Sequence, residues 1–163
     1  MNEFHGSAGM AMAASAADVF EVISDLDRLP EWNRAIERVV ERPAALEPGA
    51  EWVVVMHPEH LPRWRSRSHV EALEPERRFA YRSHTDDHNP SFAVWQWALT
   101  PTGENGVEVT VRWEGYPKTI GRKLLGAPMR SRMLTREVAV SLAAVRTRVE
   151  AGRPDGDRPP SAV

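Results

Sequence analysis

The hydrophobic pattern of this chain changes period twice. It is helical near the start. Ser15 can cap a helix, with Asp18 three residues on as in a capping box, and Val19, Phe20 and Ile23 then share one helical face. The pattern predicts a stop near Asp25, and Pro30 suits the first turn of a second short helix. After the turn signal Pro48-Gly49 the pattern turns to strands. Residues 51–57 form a β-rich run. In 63–71 the alternation is sharp: Arg63, Arg65, Arg67, His69 and Glu71 fall on one face, Trp64, Ser66, Ser68 and Val70 on the other. Residues 78–84 set Phe79 and Tyr81 opposite Ala80 and Arg82, and 92–99 align Trp95, Trp97 and Leu99. Asn105-Gly106 marks a hairpin turn. Val107, Val109, Val111 and Trp113 then alternate with polar residues as a half-buried strand does.

The second change returns the chain to a helix. Pro128 suits a first turn, Gly126 can break or kink the segment, and Met129, Met133, Leu134, Val138, Leu142, Val145 and Val149 recur three to four apart with arginines between. Gly152 ends it. The order is a strand, two short helices, about six antiparallel strands and one long helix. Consecutive hairpins imply a meander whose apolar face needs a cover, and only the last helix is long enough. Residues 1–150 read as one α+β domain, and 151–163 as a disordered tail.

Composition narrows the class. The chain has 163 residues, enough for one domain with a real core. The absence of cysteine excludes disulfides, thiolate catalysis and thiolate metal sites, and agrees with a cytoplasmic protein. No secretory signal and no stretch near the length of a membrane span is present. A net charge of −2 points toward neither nucleic acid nor an anionic membrane. No phosphate loop or dinucleotide fingerprint appears, and no cofactor is expected.

The chain resembles the START-like helix-grip (SRPBCC) superfamily, in its polyketide cyclase/dehydrase branch. The resemblance lies in Asp25-Leu-Asp-Arg-Leu-Pro-Glu-Trp32 after a capped helix, and in Leu73-Glu-Pro-Glu-Arg-Arg-Phe-Ala-Tyr81. The strand pair Trp97-Ala-Leu-Thr-Pro-Thr-Gly and Val107-Glu-Val-Thr-Val-Arg-Trp113, with the closing helix, completes it. It spans about residues 8 to 150. It implies a helix-grip fold, in which a curved seven-stranded antiparallel sheet wraps a long C-terminal helix around a tunnel-like pocket. Family members include aromatase/cyclases, lipid carriers and receptors for hydrophobic ligands.

Six tryptophans are the richest chemical signal. Trp64, Trp95, Trp97 and Trp113 fall on inward faces, where they could stack on a flat ligand or simply fill a core. Phe79, Tyr81, Met129 and Met133 would add wall, and Ser66 and Ser68 could bond a ligand's polar group. Trp32 reads as a plug under the first helices.

Loops 58–62, 85–91 and 116–120 should share one edge, the pocket mouth, with His57, His60, His84, Asp86, Asp87 and His88 around it. The spacings His57/His60 and His84/His88 could suit a metal, but exposed loop histidines rarely chelate without rigid support, and none is expected. His84 could instead serve as a base near neutral pH. The resemblance makes Arg67, with Tyr81, the nearest counterpart of a pocket arginine that orients a poly-β-ketone. The alternation nevertheless sets Arg67 on the outer face.

Three readings stay open. One is a binding module for a hydrophobic, aromatic or polyketide-like molecule, acting as carrier, sequestering or self-resistance protein. A second is a polyketide aromatase/cyclase/dehydratase. The third is an interaction protein with a collapsed pocket. The chain would act as a monomer or homodimer.

Overall fold

The computed structural model describes residues 4–152. Strand β1 (Phe4–Met12) leads into α1 (Ala16–Ser24), a 3₁₀ turn (Leu26–Arg28) and α2 (Leu29–Trp32). Six strands follow: β2 (Ile36–Glu41), β3 (Glu51–Met56), β4 (Trp64–Glu74), β5 (Arg78–Thr85), β6 (Phe92–Gly103) and β7 (Gly106–Tyr116). A π-helical turn (Arg122–Gly126) opens α3 (Ala127–Ala151). The sheet has seven strands in the order β1-β7-β6-β5-β4-β3-β2, every pair antiparallel. This is the curved helix-grip sheet that the meander and the resemblance imply. The expected tail beyond residue 152 lies outside the described residues, and α3 itself runs through Ala151.

Local chemistry fixes the ends of the elements. The Ser15 hydroxyl accepts the Asp18 amide N–H at 3.1 Å and caps α1. Pro30 sits in the first turn of α2, where its missing N–H leaves no helical bond unmade. Gly49 turns the chain into β3 at φ +89°, a left-handed backbone that suits glycine. The β6–β7 hairpin closes at Gly103 opposite Gly106, so Glu104 and Asn105 form its tip.

The β1–β7 end of the sheet is tightly packed. Val107, Val109 and Val111 are fully buried opposite Met12, Met10 and Ala8. Large and small residues interlock there. A Cβ on Gly6 would come 2.3 Å from the Trp113 ring, and one on Gly115 would come 2.1 Å from the Phe4 ring. Helix α3 lies on this region through Leu142, Val145 and Val149, and Glu150 accepts the Ala13 amide at 2.9 Å. Arg148 reaches α2, pairing with the Glu31 carboxylate at 3.4 Å and donating to the Glu31 carbonyl.

Candidate functional site

The other half of α3 stands off the sheet. Between them is a cavity of about 520 Å³, within the range of small-molecule sites. Its sheet wall comes from the inner faces of β3 to β6, its floor from α2, and its front from the first four turns of α3. The mouth is framed by the loops after β3, β5 and β7, which supply Leu61, Asp87, Ser91 and Pro117 to the lining.

Aromatic rings dominate the wall. Trp52 meets Tyr81 edge-on at 5.1 Å, and Tyr81 stacks on Trp95 at 6.4 Å. Trp97 takes the edge of Trp32 at 5.2 Å. Across this surface runs a ladder of hydroxyls. Register pairs Ser66 with Thr85 and Ser68 with Ser83 across β4 and β5, and Tyr81 continues the row on β5. The Trp95 indole N–H donates to Ser83 at 3.0 Å, so the Ser83 hydroxyl keeps its own proton to donate elsewhere. Burial pushes the Tyr81 phenol up to about 12, partly opposed by a hydrogen bond from Trp97. Tyr81 is therefore a neutral donor at physiological pH.

The helix contributes charge. Arg130 and Glu137, seven residues apart on the cavity face of α3, pair at 2.7 Å, each about a quarter exposed. The Arg130 guanidinium also lies over the Trp64 ring, 5.8 Å from its centroid. At the mouth, Arg122 donates to the Thr85 hydroxyl at 3.1 Å, and Thr85 donates to Asp87 at 2.6 Å. The Thr85 hydroxyl and the Asn89 amide hold the Asp87 carboxyl below its usual range.

Most of the residues singled out in the sequence line this cavity: Trp64, Ser66, Ser68, Tyr81, Trp95, Trp97, Met129 and Met133. Phe79 and Trp113 do not. Phe79 is buried behind the wall, stacked on Trp52 at 6.1 Å, and Trp52 takes the cavity position. Trp113 is spent filling the space over Gly6. Trp32, read as a plug, lines the floor as well.

Arg67 is on the outer face of the sheet. Its guanidinium donates to Asp86 at 3.0 Å, to Glu41 at 3.1 Å and to Glu51 at 3.2 Å. These carboxylates push it further above the ordinary arginine value, Asp86 foremost. The one irregularity in β4 comes after Val70, too late to turn Arg67 inward. His84 pairs with Arg67 across the strands and its ring lies on the same outer face, where its Nε2 is 3.1 Å from that of His69. His57 pairs with Glu37 at 3.3 Å, and His60 is nearly fully exposed beside Glu59. His57 and His60 are thus held by separate carboxylates, and His84 by His69. Among the described residues no three His, Asp or Glu side chains are grouped to hold a metal ion.

Sequence reasoning missed Trp52, Ser83, Arg130 and Glu137. Trp52 was hidden in an all-apolar run. The signal for the ion pair was the seven-residue spacing of Arg130 and Glu137, which puts both on the helix face that carries Met133 and Val138.

No functionally curated protein matches the sequence. Solved structures share its fold at low identity. An aromatase/cyclase from a Streptomyces species superposes with a TM-score of 0.73 at 19% identity, covering 95% of this chain and 98% of that one. One half of StfQ, a di-domain aromatase/cyclase from the steffimycin biosynthetic pathway, gives 0.76 at 16%, covering 91% of this chain and 51% of that one. A START superfamily protein from Mycobacterium smegmatis gives 0.70 at 17%, covering 90% and 97%. The profile of the family described as "Polyketide cyclase / dehydrase and lipid transport" matches residues 5–150, nearly the whole described chain, and the protein belongs to that family.

Proposed function

We propose that the chain binds a flat, hydrophobic small molecule bearing oxygen atoms, of the aromatic or polyketide class, in the cavity under the first half of α3. The observation that carries this is the composition of one wall: stacked Trp and Tyr rings crossed by the hydroxyls of Ser66, Ser68, Ser83 and Tyr81. The rings would cover the ligand's faces, and the hydroxyls would meet its oxygens. Arg130 would attract an acidic phenol, an enolate or a carboxylate near the mouth. The open volume weighs against an interaction protein with a collapsed pocket. A carrier, sequestering or self-resistance role needs nothing more than this binding.

The Arg130–Glu137 pair favours a second reading, an aromatase/cyclase. There Glu137 would take a proton from the carbon beside a ketone, and Arg130 would hold the enolate oxygen. The enolate carbon would add to a second ketone of the same chain and close the ring. The proton taken by Glu137 would pass to the new alkoxide, and loss of that hydroxyl as water with a neighbouring proton would leave a double bond. Templating by the aromatic wall would supply much of the effect. Similarity of fold to aromatase/cyclases agrees with this but does not choose it, since one fold hosts many functions.

Native mass spectrometry of freshly purified protein tests the binding reading. A bound organic molecule, or a one-to-one complex formed with hydroxylated polycyclic aromatics, is the expected result. Apo protein throughout such a panel would overturn it.

A further inference from the structure

The net charge of −2 hides a strong segregation. From residue 115 to residue 136 there are six basic side chains and no acidic one. Both lysines of the chain, Lys118 and Lys123, are among them, with Arg122, Arg130, Arg132 and Arg136. The same stretch carries the most exposed large apolar side chains among the described residues: Ile120 at 77%, Leu124 at 67% and Met129 at 55%. It also frames the cavity mouth through Tyr116, Pro117, Arg122, Met129 and Arg130.

Hydrogen bonds hold this stretch with its apolar tips outward. The Lys118 amide donates to Ser91 at 2.9 Å, the Lys123 amide to the Thr119 carbonyl at 3.0 Å, and the Arg122 side chain to Thr85. Asp86 is engaged outside the stretch by Arg67, while Glu137 pairs with Arg130 of the stretch. Glu114 accepts from Tyr116, and Asp87, bonded by Thr85, lies near Arg122. Lys118, Lys123, Arg132 and Arg136 therefore carry most of the stretch's positive charge. Glu59, on the loop after β3, and Asp87, on the loop after β5, are exposed acids of the rim. Exposed aliphatic tips set among exposed cations are what an anionic bilayer surface takes, the tips entering the acyl boundary and the cations meeting headgroups. An acidic protein would satisfy the cations but leave Ile120 and Leu124 needing a matching apolar hollow. The placement at the mouth adds a reason, because an apolar ligand would then pass between bilayer and cavity without crossing water.

We infer that the segment from Tyr116 to Arg130 docks the cavity mouth onto an anionic lipid surface. No described helix is long and apolar enough to cross a membrane, so the contact is peripheral. The inference goes beyond the cavity reading, and its test uses ligand-free vesicles, so either can fail without the other.

The experiment is flotation of the full chain with vesicles of phosphatidylcholine alone or mixed with phosphatidylglycerol. Binding to the mixed vesicles that weakens as salt rises, with little binding to neutral ones, is expected. Lys118→Glu combined with Lys123→Glu should melt like the parent and bind at least tenfold more weakly, since each cation at such a surface contributes about fivefold. Ile120→Ser combined with Leu124→Ser should weaken binding while leaving its salt dependence in place. A folded parent that ignores the mixed vesicles overturns the inference, as does binding that survives both double variants. Charge-sensitive binding to a purified acidic protein without any vesicle binding would also overturn it.

Discussion

The two halves of α3 lie on one continuous helix and do opposite work. In the C-terminal half, Leu142 and Val145 are 1% exposed or less, and Glu150 ties the end to the chain entering α1. In the N-terminal half, Met129, Arg130, Met133 and Glu137 face open volume rather than packed side chains. The difference shows how one amphipathic helix can be both foundation and wall. Regular aliphatic spacing fills a core, while long, soft or charged side chains on the same face leave room for a guest. Substitutions should therefore divide into those that unfold the chain and those that empty the site.

The largest effect should come from the foundation. Leu142→Ala should cost about 2–5 kcal/mol in urea unfolding and leave ligand affinity per folded molecule unchanged. A loss of affinity without a loss of stability would erase the distinction between the halves. Trp95→Ala should cost at most about 3 kcal/mol, because one side of the indole already borders open space, yet it should abolish binding. Arg130→Gln should change stability by no more than about 1 kcal/mol and selectively weaken ligands with an acidic oxygen; equal weakening of neutral ligands would remove that role.

The smallest effect belongs to the outer face. Arg67 holds the Asp86 carboxyl below the ordinary aspartate value of 3.8. The unfolded carboxyl then binds its proton at higher pH than the folded one. The pair's contribution is complete above the ordinary value and is lost as pH falls through the lowered one. Asp86→Asn should accordingly cost about 1 kcal/mol or less at neutral pH, a deficit that shrinks below the ordinary range in unfolding curves taken at both ends.

Strands with one wet face were readable from their alternation, and β4 is the clear case: Ser66 and Ser68 turn inward, Arg67 outward. Strand β3 was not, because both its faces are covered. Val53 and Val55 are buried on the outer side as Trp52 and Val54 are on the inner, so the run has no alternation to show where Trp52 points. Strand β2 escaped for another reason: its six residues carry two register shifts, which break the period. Inward direction was also not enough to define the cavity. Trp113 faces the same side as Trp95, its cross-strand partner, but Gly6 gives it a slot to fill. That depends on β1, far away in sequence. The arginines between the apolar positions of α3 look alike in the sequence, and only the fold separates Arg130, over Trp64, from the exposed Arg132 and Arg136.

The central claim is that the space under the first half of α3 is a binding site. It is tested most directly by titrating hydroxylated polycyclic aromatics, followed by their own fluorescence, into the parent, Leu142→Ala and Trp95→Ala, each shown to be folded. The account predicts saturable one-to-one binding by the first two and none by the third. No saturable binding by the parent, or equal binding by Trp95→Ala, would contradict it.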